Sequence, residues 1–170
     1  AYKFYDASRA VAKLFEDLSQ WYVRRIRDRA REGDRAALAT LQETLKTSAL
    51  LLAPFSPFLA EEIWQKTRSE TDAESVHLAS WPEAGVSDTA LIEDMSRLRG
   101  EASELLKMRQ QANIVVRQPL RGATVSGSYT EELIELLKEE VNVKGITVAE
   151  TVSLDTELTP ELVAEGDERA

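Results

Sequence analysis

Residues 52–62 read LAPFSPFLAEE, and this short stretch decides how the helices on either side of it are arranged. Proline lacks the backbone N–H and clashes with the preceding helical turn, so Pro54 and Pro57 end the helix before them. Ser56 is a favoured cap and Pro57 suits the first helical position, so a new helix starts there and runs to about Thr67. Helices joined by so short a break pack antiparallel. The stretch therefore predicts a helical bundle.

Three further helices are predicted from apolar residues that recur every three or four positions. Together with the helix that starts at Pro57, the predicted helices cover residues 2–31, 35–52, 57–67 and 88–112. Gly33 and Asp34 combine a helix stop with a new cap, and Asp88 can cap the last of the four helices. We therefore predict a mainly α fold in which residues 1–112 form an antiparallel helical bundle.

The sequence pattern changes from helical to strand-like after Ala112. Ile114–Val116 is a β-branched run, and Pro119 cannot lie inside a helix. The predicted elements are strand-like runs at 114–116, 121–127 and 143–155, an acidic amphipathic helix at 129–140, and a helix that begins at Thr159-Pro160. Residues 113–170 are thus predicted to form a small α/β subdomain, truncated at its C-terminus. Both ends of the chain lie inside such patterns, so we expect a piece of a longer protein.

Composition excludes several classes of protein. The absence of cysteine excludes disulfides, thiolate metal sites and cysteine nucleophiles, and His77 is the only histidine. No run approaches the roughly 20 apolar residues of a membrane span, and no signal pattern opens the chain. We expect a cytoplasmic protein with no catalytic site, no metal site and no contact with a membrane.

The net charge of −9 is distributed unevenly along the chain. Residues 1–128 hold 18 Lys or Arg and 18 Asp or Glu, whereas residues 129–170 hold 3 and 12. A negative total argues against nucleic acid, but local fields decide binding. A cationic surface is therefore expected within the first 128 residues.

Residues 17–31 read DLSQWYVRRIRDRAR and place five arginines within eight positions. On a regular α-helix, Arg25 and Arg29 continue the buried apolar stripe, and the other arginines share a different face: Arg24, Arg27 and Arg31. We expect the last two helical turns to project from the bundle with charge on all sides. Guanidinium groups match phosphate oxygens, and neighbouring aromatic rings stack on unpaired bases. The alternative is a solvated basic face that acidic neighbours partly neutralise.

Five segments resemble class I isoleucyl-tRNA synthetases and follow one another in the order of that family. They are DLSQWYVRR at 17–25, LAPFSPFLAEEIW at 52–64, SVHLASWP at 75–82, VRQPL at 116–120, and LTPEL with a following EG at 158–166. The second segment is also similar to the valyl and leucyl enzymes. The first and fourth are the ones that resemble the isoleucyl family in particular.

The resemblance implies a helical bundle that binds the anticodon arm of tRNA(Ile), within a parent enzyme that joins L-isoleucine to its tRNA using ATP and Mg²⁺. The sequence contains neither the H-I-G-H nor the K-M-S-K-S signature and has no match to the editing domain, so this fragment is expected to be non-catalytic and without a cofactor. A zinc site, where relatives have one, would lie outside it. The first helix of the family bundle is expected to precede residue 1. We therefore expect an apolar face that meets the remaining synthetase domains, or drives self-association of the isolated chain.

The candidate tRNA-binding residues come from two groups. Trp21, Arg24 and Arg25 match the W-Y-x-R-R positions of the family, and helix geometry adds Arg27 and Arg31. A second basic group lies near the change from helix to strand and consists of Lys107, Arg109 and Arg117. Two departures from the family pattern stand close to the first group, since Gln20 replaces Asn and Ala30-Arg31 stands where relatives carry Phe-Trp. The alternatives are a valyl- or leucyl-type anticodon domain, a helical protein-interaction module without an RNA role, and a complete small enzyme.

Overall fold

The computed structural model describes residues 3–168, and the chain divides into two compact units, residues 1–85 and 86–170. The first unit is helical. Its elements are α1 (Phe4–Asp17), a π-helical segment (Leu18–Val23), α2 (Arg24–Arg31), α3 (Arg35–Leu52), α4 (Pro57–Thr67) and a 3₁₀ turn (Val76–Leu78). The bounds of α3 and α4 confirm the predicted helices. The start predicted at Tyr2 lies outside the described residues.

A tight turn joins α2 to α3. Gly33 has a φ of 83°, a left-handed conformation that glycine adopts without steric cost. The Asp34 carboxylate then accepts hydrogen bonds from the backbone N–H groups of Ala36 at 3.0 Å and Ala37 at 3.2 Å. These bonds satisfy two of the donors that a helix start leaves open. The predicted stop and cap are therefore confirmed.

The core of the first unit lies between α3, α4 and the 3₁₀ turn. Ala49 and Ala60 are fully buried and, being small, let the two helices approach closely. Trp64 fills the space beside them and is 3% exposed, and its Nε1 donates to the carbonyl of Ala73 at 3.0 Å. Val76 closes the cluster from the turn. The single indole therefore ties α4 to the loop that follows it.

An ion pair joins α3 to that same loop. Lys46 Nζ lies 2.7 Å from Asp72 Oδ2 and 5.9 Å from the centre of the Trp64 ring. Hydrogen bonds from Lys46 and from the backbone and side chain of Ser69 lower the pKa of Asp72 from 3.8 to about 2. Because the folded protein favours the charged form, this carboxylate contributes stability above its ordinary pKa.

The second unit combines a long helix with a small sheet. Its elements are α5 (Thr89–Gln111), β1 (Leu120–Val125), α6 (Glu131–Val141), β2 (Val143–Val148), β3 (Ser153–Leu154) and α7 (Pro160–Glu168). The strand order is β2-β1-β3, with β1 parallel to β2 through the α6 crossover and antiparallel to β3. A mainly helical chain with a small α/β part near its C-terminus confirms the predicted fold class.

Two sequence expectations differ from the structure of the second unit. Ile114–Val116 forms no strand, because the segment turns and its carbonyls bond to side chains and a turn N–H instead of a neighbouring strand. The change from helix to strand was expected to mark a domain boundary at 112/113. The second compact unit begins earlier, at Val86, because α5 packs against α6 and β3.

A buried carboxylate fastens α5 to the segment after β1. Glu101 is 6% exposed, and its oxygens accept hydrogen bonds from the Ser126 N–H and hydroxyl, the Gly127 N–H and the Tyr129 hydroxyl at 2.6–3.0 Å. Burial opposes ionisation, but the bonds from Ser126 and Tyr129 outweigh it and lower the pKa of Glu101. The loop that leads into α6 is therefore fixed by one side chain of α5.

Replacing Asp72 with Asn is expected to reduce the acid sensitivity of the first unit. In the wild type, the stabilisation of the fold by the Asp72 carboxylate is present above pH 3.8 and is lost as the pH falls to about 2. The free energies of unfolding of the two proteins should therefore differ at pH 7 and converge towards pH 2. Urea unfolding followed by tryptophan fluorescence measures this, since Trp21, Trp64 and Trp81 all lie in the first unit. The control is Asp6→Asn, which removes a 67% exposed carboxylate with a single 3.9 Å ion pair. A constant difference between Asp72→Asn and wild type at every pH would contradict this account.

Candidate nucleic-acid interface

The segment Leu18–Val23 is π-helical and interrupts the long N-terminal helix within the W-Y-x-R-R motif. A π turn contains one more residue than an α turn, so residues after it are rotated by about 100° relative to an unbroken α-helix. Ile26 therefore takes the packed position that the sequence assigned to Arg25. It is 5% exposed, whereas Arg25 is half-buried.

This offset corrects one expectation from the sequence. The end of the helix does not project with charge on all sides, because α2 packs against α3. On its outer side, Arg29 pairs with the cap residue Asp34 at 2.7 Å, and Arg31 lies 3.7 Å from Asp28. One side of α2 therefore packs against the rest of the first unit, and its other side carries the charged side chains.

Arg24 closes the π-helical segment. Its backbone N–H donates to the carbonyl of Trp21, and its side-chain Nε donates to the carbonyl of Gln20 at 3.0 Å. The guanidinium carbon lies 5.8 Å from the centre of the Trp21 ring, within the range of a cation–π interaction. The side chain therefore stabilises the local break in helical bonding and covers the exposed side of a half-buried indole.

The packed side of the same segment is held by Tyr22. Its hydroxyl donates to the carbonyl of Ala37 at 3.4 Å, and the ring is half-buried. Ala37, 3% exposed, lies on the first turn of α3. The tyrosine of the motif therefore has a structural position.

The arginines that were expected to share one face are all exposed: Arg24, Arg27 and Arg31. α2 is a regular α-helix, so residues three and seven apart lie on the same side. The structure therefore retains an accessible cationic surface on α2 after the packing of Ile26, and we call these three residues the α2 arginine face.

The second basic group is divided by the structure. Lys107 and Arg117 are exposed, whereas Arg109 is 1% exposed. Its guanidinium donates to four carbonyls, those of Val141, Val115, Gln118 and Asn142, at 2.6–3.2 Å. Arg109 is therefore not available for RNA, which corrects its assignment as a contact residue. Desolvation by burial lowers its pKa.

Gln118 also has a structural position. Its Nε2 donates to the carbonyls of Pro119 at 3.1 Å and Leu162 at 2.5 Å, which joins the start of β1 to α7. Asn142, which sequence analysis did not single out, donates from Nδ2 to the carbonyls of Val116 at 2.8 Å and Arg117 at 3.0 Å. An Asn just beyond the end of a helix is typical of a left-handed cap, and Asn142, two positions after the predicted helix, was the available signal.

Two of the family-like motifs contact each other in the first unit. Glu61, in the AEE part of the proline motif, accepts hydrogen bonds from the Ser75 hydroxyl at 2.8 Å and the Val76 N–H at 3.0 Å. Bonds from Gln65 and then Ser75 lower the pKa of Glu61. The neighbouring Glu62 pairs instead with Lys66 at 2.8 Å. These motif residues maintain the fold and form no carboxylate pair.

The chain resembles known proteins along most of its length. A family model described as the anticodon-binding domain of tRNA ligase matches residues 1–124. The chain belongs to this family. The matched range includes the π-helical segment, the α2 arginine face and the loop that follows α5.

The relatives of this anticodon-binding domain include isoleucine–tRNA ligases of several bacteria. The chain is 42% identical to that of Cutibacterium acnes over 139 residues, 43% to that of Thermobifida fusca over 148 and 38% to that of Streptomyces avermitilis over 164. These matches cover 77%, 81% and 89% of the chain. The chain spans only 12–16% of the length of these relatives.

Two further features of the described residues concern metal binding and the spanning of a membrane. Among residues 3–168, no group of three His, Asp or Glu side chains is placed to hold a metal ion. Within the described part of the chain, every helix is too short or too polar to span a lipid bilayer.

Truncation of Ile26 tests the rotation caused by the π-helical segment. Ile26→Ala is expected to destabilise the first unit by about 2–4 kcal/mol, since it removes a buried aliphatic side chain and leaves a cavity. Val23→Ala, a matched change at a side chain that is 36% exposed, should cost about 1 kcal/mol or less. Urea unfolding curves give both values. Equal costs at the two positions would show that Ile26 is not the packed residue.

Proposed function

We propose that this domain recognises the anticodon arm of tRNA(Ile) as part of an isoleucyl-tRNA synthetase. The observation that carries the proposal is the α2 arginine face, which stays exposed in a chain that belongs to the anticodon-binding family. The similarity to isoleucine–tRNA ligases supports isoleucine over the valyl or leucyl type. Arginine suits the task because its planar fork of donors matches the oxygens of a phosphate.

The first group of candidate residues is proposed to act as one surface. Arg27 and Arg31 meet backbone phosphates, Arg24 presents its guanidinium above Trp21, and the half-buried Arg25 contributes positive potential at the edge of the face. A guanidinium held against an indole keeps the charge in place and lowers the entropic cost of binding. Trp21 is thus proposed to support Arg24, with the exposed edge of its ring open to an unpaired base.

The second group is proposed to consist of Lys107 and Arg117, since Arg109 is buried. The sequence contains no Asp or Glu from Leu105 to Thr130, so these two cations lie in an acid-free stretch of chain. Local potential, and not the net charge of −9, then decides where a polyanion binds. The acidic helix α6 is proposed to face away from RNA.

The activity of the whole synthetase belongs to other parts of the parent protein. We propose that the parent joins L-isoleucine to its tRNA in the cytoplasm using ATP and Mg²⁺, and that the remaining synthetase domains are partners of this one. Any zinc site is proposed to lie outside the present sequence, which has no cysteine. The present chain supplies recognition without catalysis.

A protein-interaction role is the second candidate, and an apolar groove in the first unit favours it. The groove holds about 500 Å³ and is lined chiefly by apolar side chains, among them Phe4, Val11, Leu14, Phe55 and Trp81. Phe4 is 66% exposed and Trp81 is 61% exposed. The salt dependence of the binding affinity distinguishes an RNA partner from a protein partner, because contacts to phosphates release the counterions condensed on the nucleic acid.

Removal of two cations from the α2 arginine face tests the proposed function. Arg27→Ala with Arg31→Ala is expected to weaken binding of the tRNA(Ile) anticodon stem-loop. It should also reduce the slope of log affinity against log salt by about 0.7–0.9 for each phosphate that the variant no longer neutralises. Fluorescence anisotropy with a labelled stem-loop at several salt concentrations measures both quantities.

The control for this experiment is Arg9→Ala together with Lys13→Ala. It removes the same charge from exposed positions on α1, outside the α2 arginine face. Unchanged affinity and slope in the Arg27/Arg31 variant, or an equally weakened control, would contradict recognition by that face. A wild-type chain that binds no stem-loop at low salt would contradict the proposed function as a whole.

Self-association of the isolated chain is a further part of the proposal. Exposed aromatic side chains around an apolar groove favour pairing with the same groove of a second copy. Sedimentation velocity is expected to show a concentration-dependent dimer that Phe4→Ser with Trp81→Ser weakens. A wild-type chain that stays monomeric at high micromolar concentration would refute this part.

A further inference from the structure

The segment between α5 and β1 is irregular, yet its backbone is held by many hydrogen bonds. Five consecutive carbonyl oxygens, those of residues 115–119, each accept a hydrogen bond from a side chain. The donors are Arg109, Asn142 and Gln118, each at 2.8–3.2 Å. We call the segment Asn113–Gln118 the α5–β1 loop. A loop whose successive acceptors are occupied has little freedom to rearrange.

Arg109 connects this loop to the end of α6. Two of its bonds reach Val115 and Gln118, and the other two reach the carbonyls of Val141 and Asn142 at 2.8 and 2.6 Å. Carbonyls at a helix C-terminus carry partial negative charge and favour a cation. A buried cation is costly unless its donors are satisfied, and here four carbonyls accept hydrogen bonds from it.

Asn142 completes the arrangement from the other side. It ends α6 in the left-handed conformation, with a φ of 50°, which directs the chain into β2. Its single Nδ2 group bonds Val116 and Arg117. Together, Arg109 and Asn142 donate hydrogen bonds to the carbonyl ends of four peptide dipoles of the loop.

The outer surface of the loop has the opposite character. Val115 is 57% exposed and Val116 is 49% exposed, and the Arg117 side chain is also exposed. Within residues 3–168, the structure gives Arg117 no side-chain hydrogen bond or ion pair, and its cation is directed to solvent. The surface therefore combines a cation with two aliphatic side chains, and no Asp or Glu lies nearby in the sequence. A cation suits a phosphate, and the aliphatic side chains suit an unstacked base beside it.

The acidic helix α6 leaves this surface accessible to RNA. Glu131 and Glu132 lie at the opposite end of the helix from Asn142, about 15 Å away along its axis at 1.5 Å per residue. That distance exceeds the screening length of about 8 Å at physiological salt. Of the two glutamates near the loop, Glu140 is buried at 8% exposure, and its side chain is therefore largely withdrawn from the surface.

We propose that Arg109 and Asn142 are positioning residues that hold the α5–β1 loop as a preformed RNA-binding surface, on which Arg117 meets a phosphate. The inference rests on the proposed function of tRNA recognition and assigns two residues that themselves touch no RNA. Preformation matters because a loop that is ordered before binding loses less entropy when the complex forms.

Asn142→Gly tests the proposal with little risk to folding. Glycine accepts the left-handed φ of 50°, so the end of α6 is kept while the bonds to Val116 and Arg117 are removed. The matched control is Asn113→Gly, the same exchange at a φ of 56° for a side chain without a hydrogen bond in the described residues. Hydrogen exchange of the loop amides should increase in Asn142→Gly and stay near wild type in Asn113→Gly.

Affinity for the tRNA(Ile) anticodon stem-loop is the deciding measurement. Arg117→Ala and Asn142→Gly are each expected to weaken binding by about three- to fivefold and to lower the salt slope by roughly the value of one phosphate. In the Arg117→Ala background, Asn142→Gly should weaken binding by less than about a further twofold, because it acts through Arg117. Arg109→Lys, which keeps the charge but lacks the planar fork, should behave like Asn142→Gly.

Failure of this inference is distinguishable from failure of the proposed function. One outcome is that removal of the α2 arginine face weakens binding, whereas Arg117→Ala and Asn142→Gly leave it unchanged. This outcome would contradict RNA binding by the α5–β1 loop and would leave the proposed function intact. Additive effects in the double variant would overturn the positioning role, as would an equal effect in Asn113→Gly. A wild-type chain without affinity for the stem-loop would overturn both.

Discussion

One extra residue in the turn at Leu18–Val23 determines how the first unit is built and what it presents. The π turn rotates everything after it, so that Ile26 packs against α3 and the arginines three and four positions apart turn outwards. The turn persists because Arg24 bonds the carbonyl of Gln20 and Tyr22 bonds that of Ala37. The same turn therefore sets both the packing of α2 and the side of the helix on which its charge is presented.

The irregular segments of both units depend on side chains that bond backbone. Glu61 holds the turn at Ser75-Val76, Glu101 holds the loop after β1, and Arg109 holds the loop before it. Each of these groups is charged, and a charged group bonds peptide dipoles more strongly than a neutral one. The arrangement lets short helices and a three-stranded sheet present defined loops in a chain that has no cysteine and so no disulfide. It also explains why several family-like positions hold the backbone of the fold in place.

The sequence was sufficient for elements that local chemistry defines. Asp34 and the Ser56-Pro57 pair marked the starts of α3 and α4, because caps and proline act on their own turn. It was insufficient where the outcome depends on distant partners. Nothing near Trp21 indicates a π turn, since the apolar spacing is compatible with an α-helix until Ala37 is in place. Arg109 resembled a surface cation because two of the four carbonyls that bind it come from residues 32 and 33 positions further along the chain.

The contrast between Arg24 and Arg109 shows what decides the role of an arginine here. Both use Nε to bond a carbonyl, at 3.0 and 2.8 Å. Arg109 donates to four carbonyls and is enclosed, whereas Arg24 lies against an indole at the surface and stays exposed. Residue type and charge are the same, so neither can identify an RNA contact. Burial with bonded donors does exclude one, because a donor that is bonded to a carbonyl inside the fold cannot bond a phosphate.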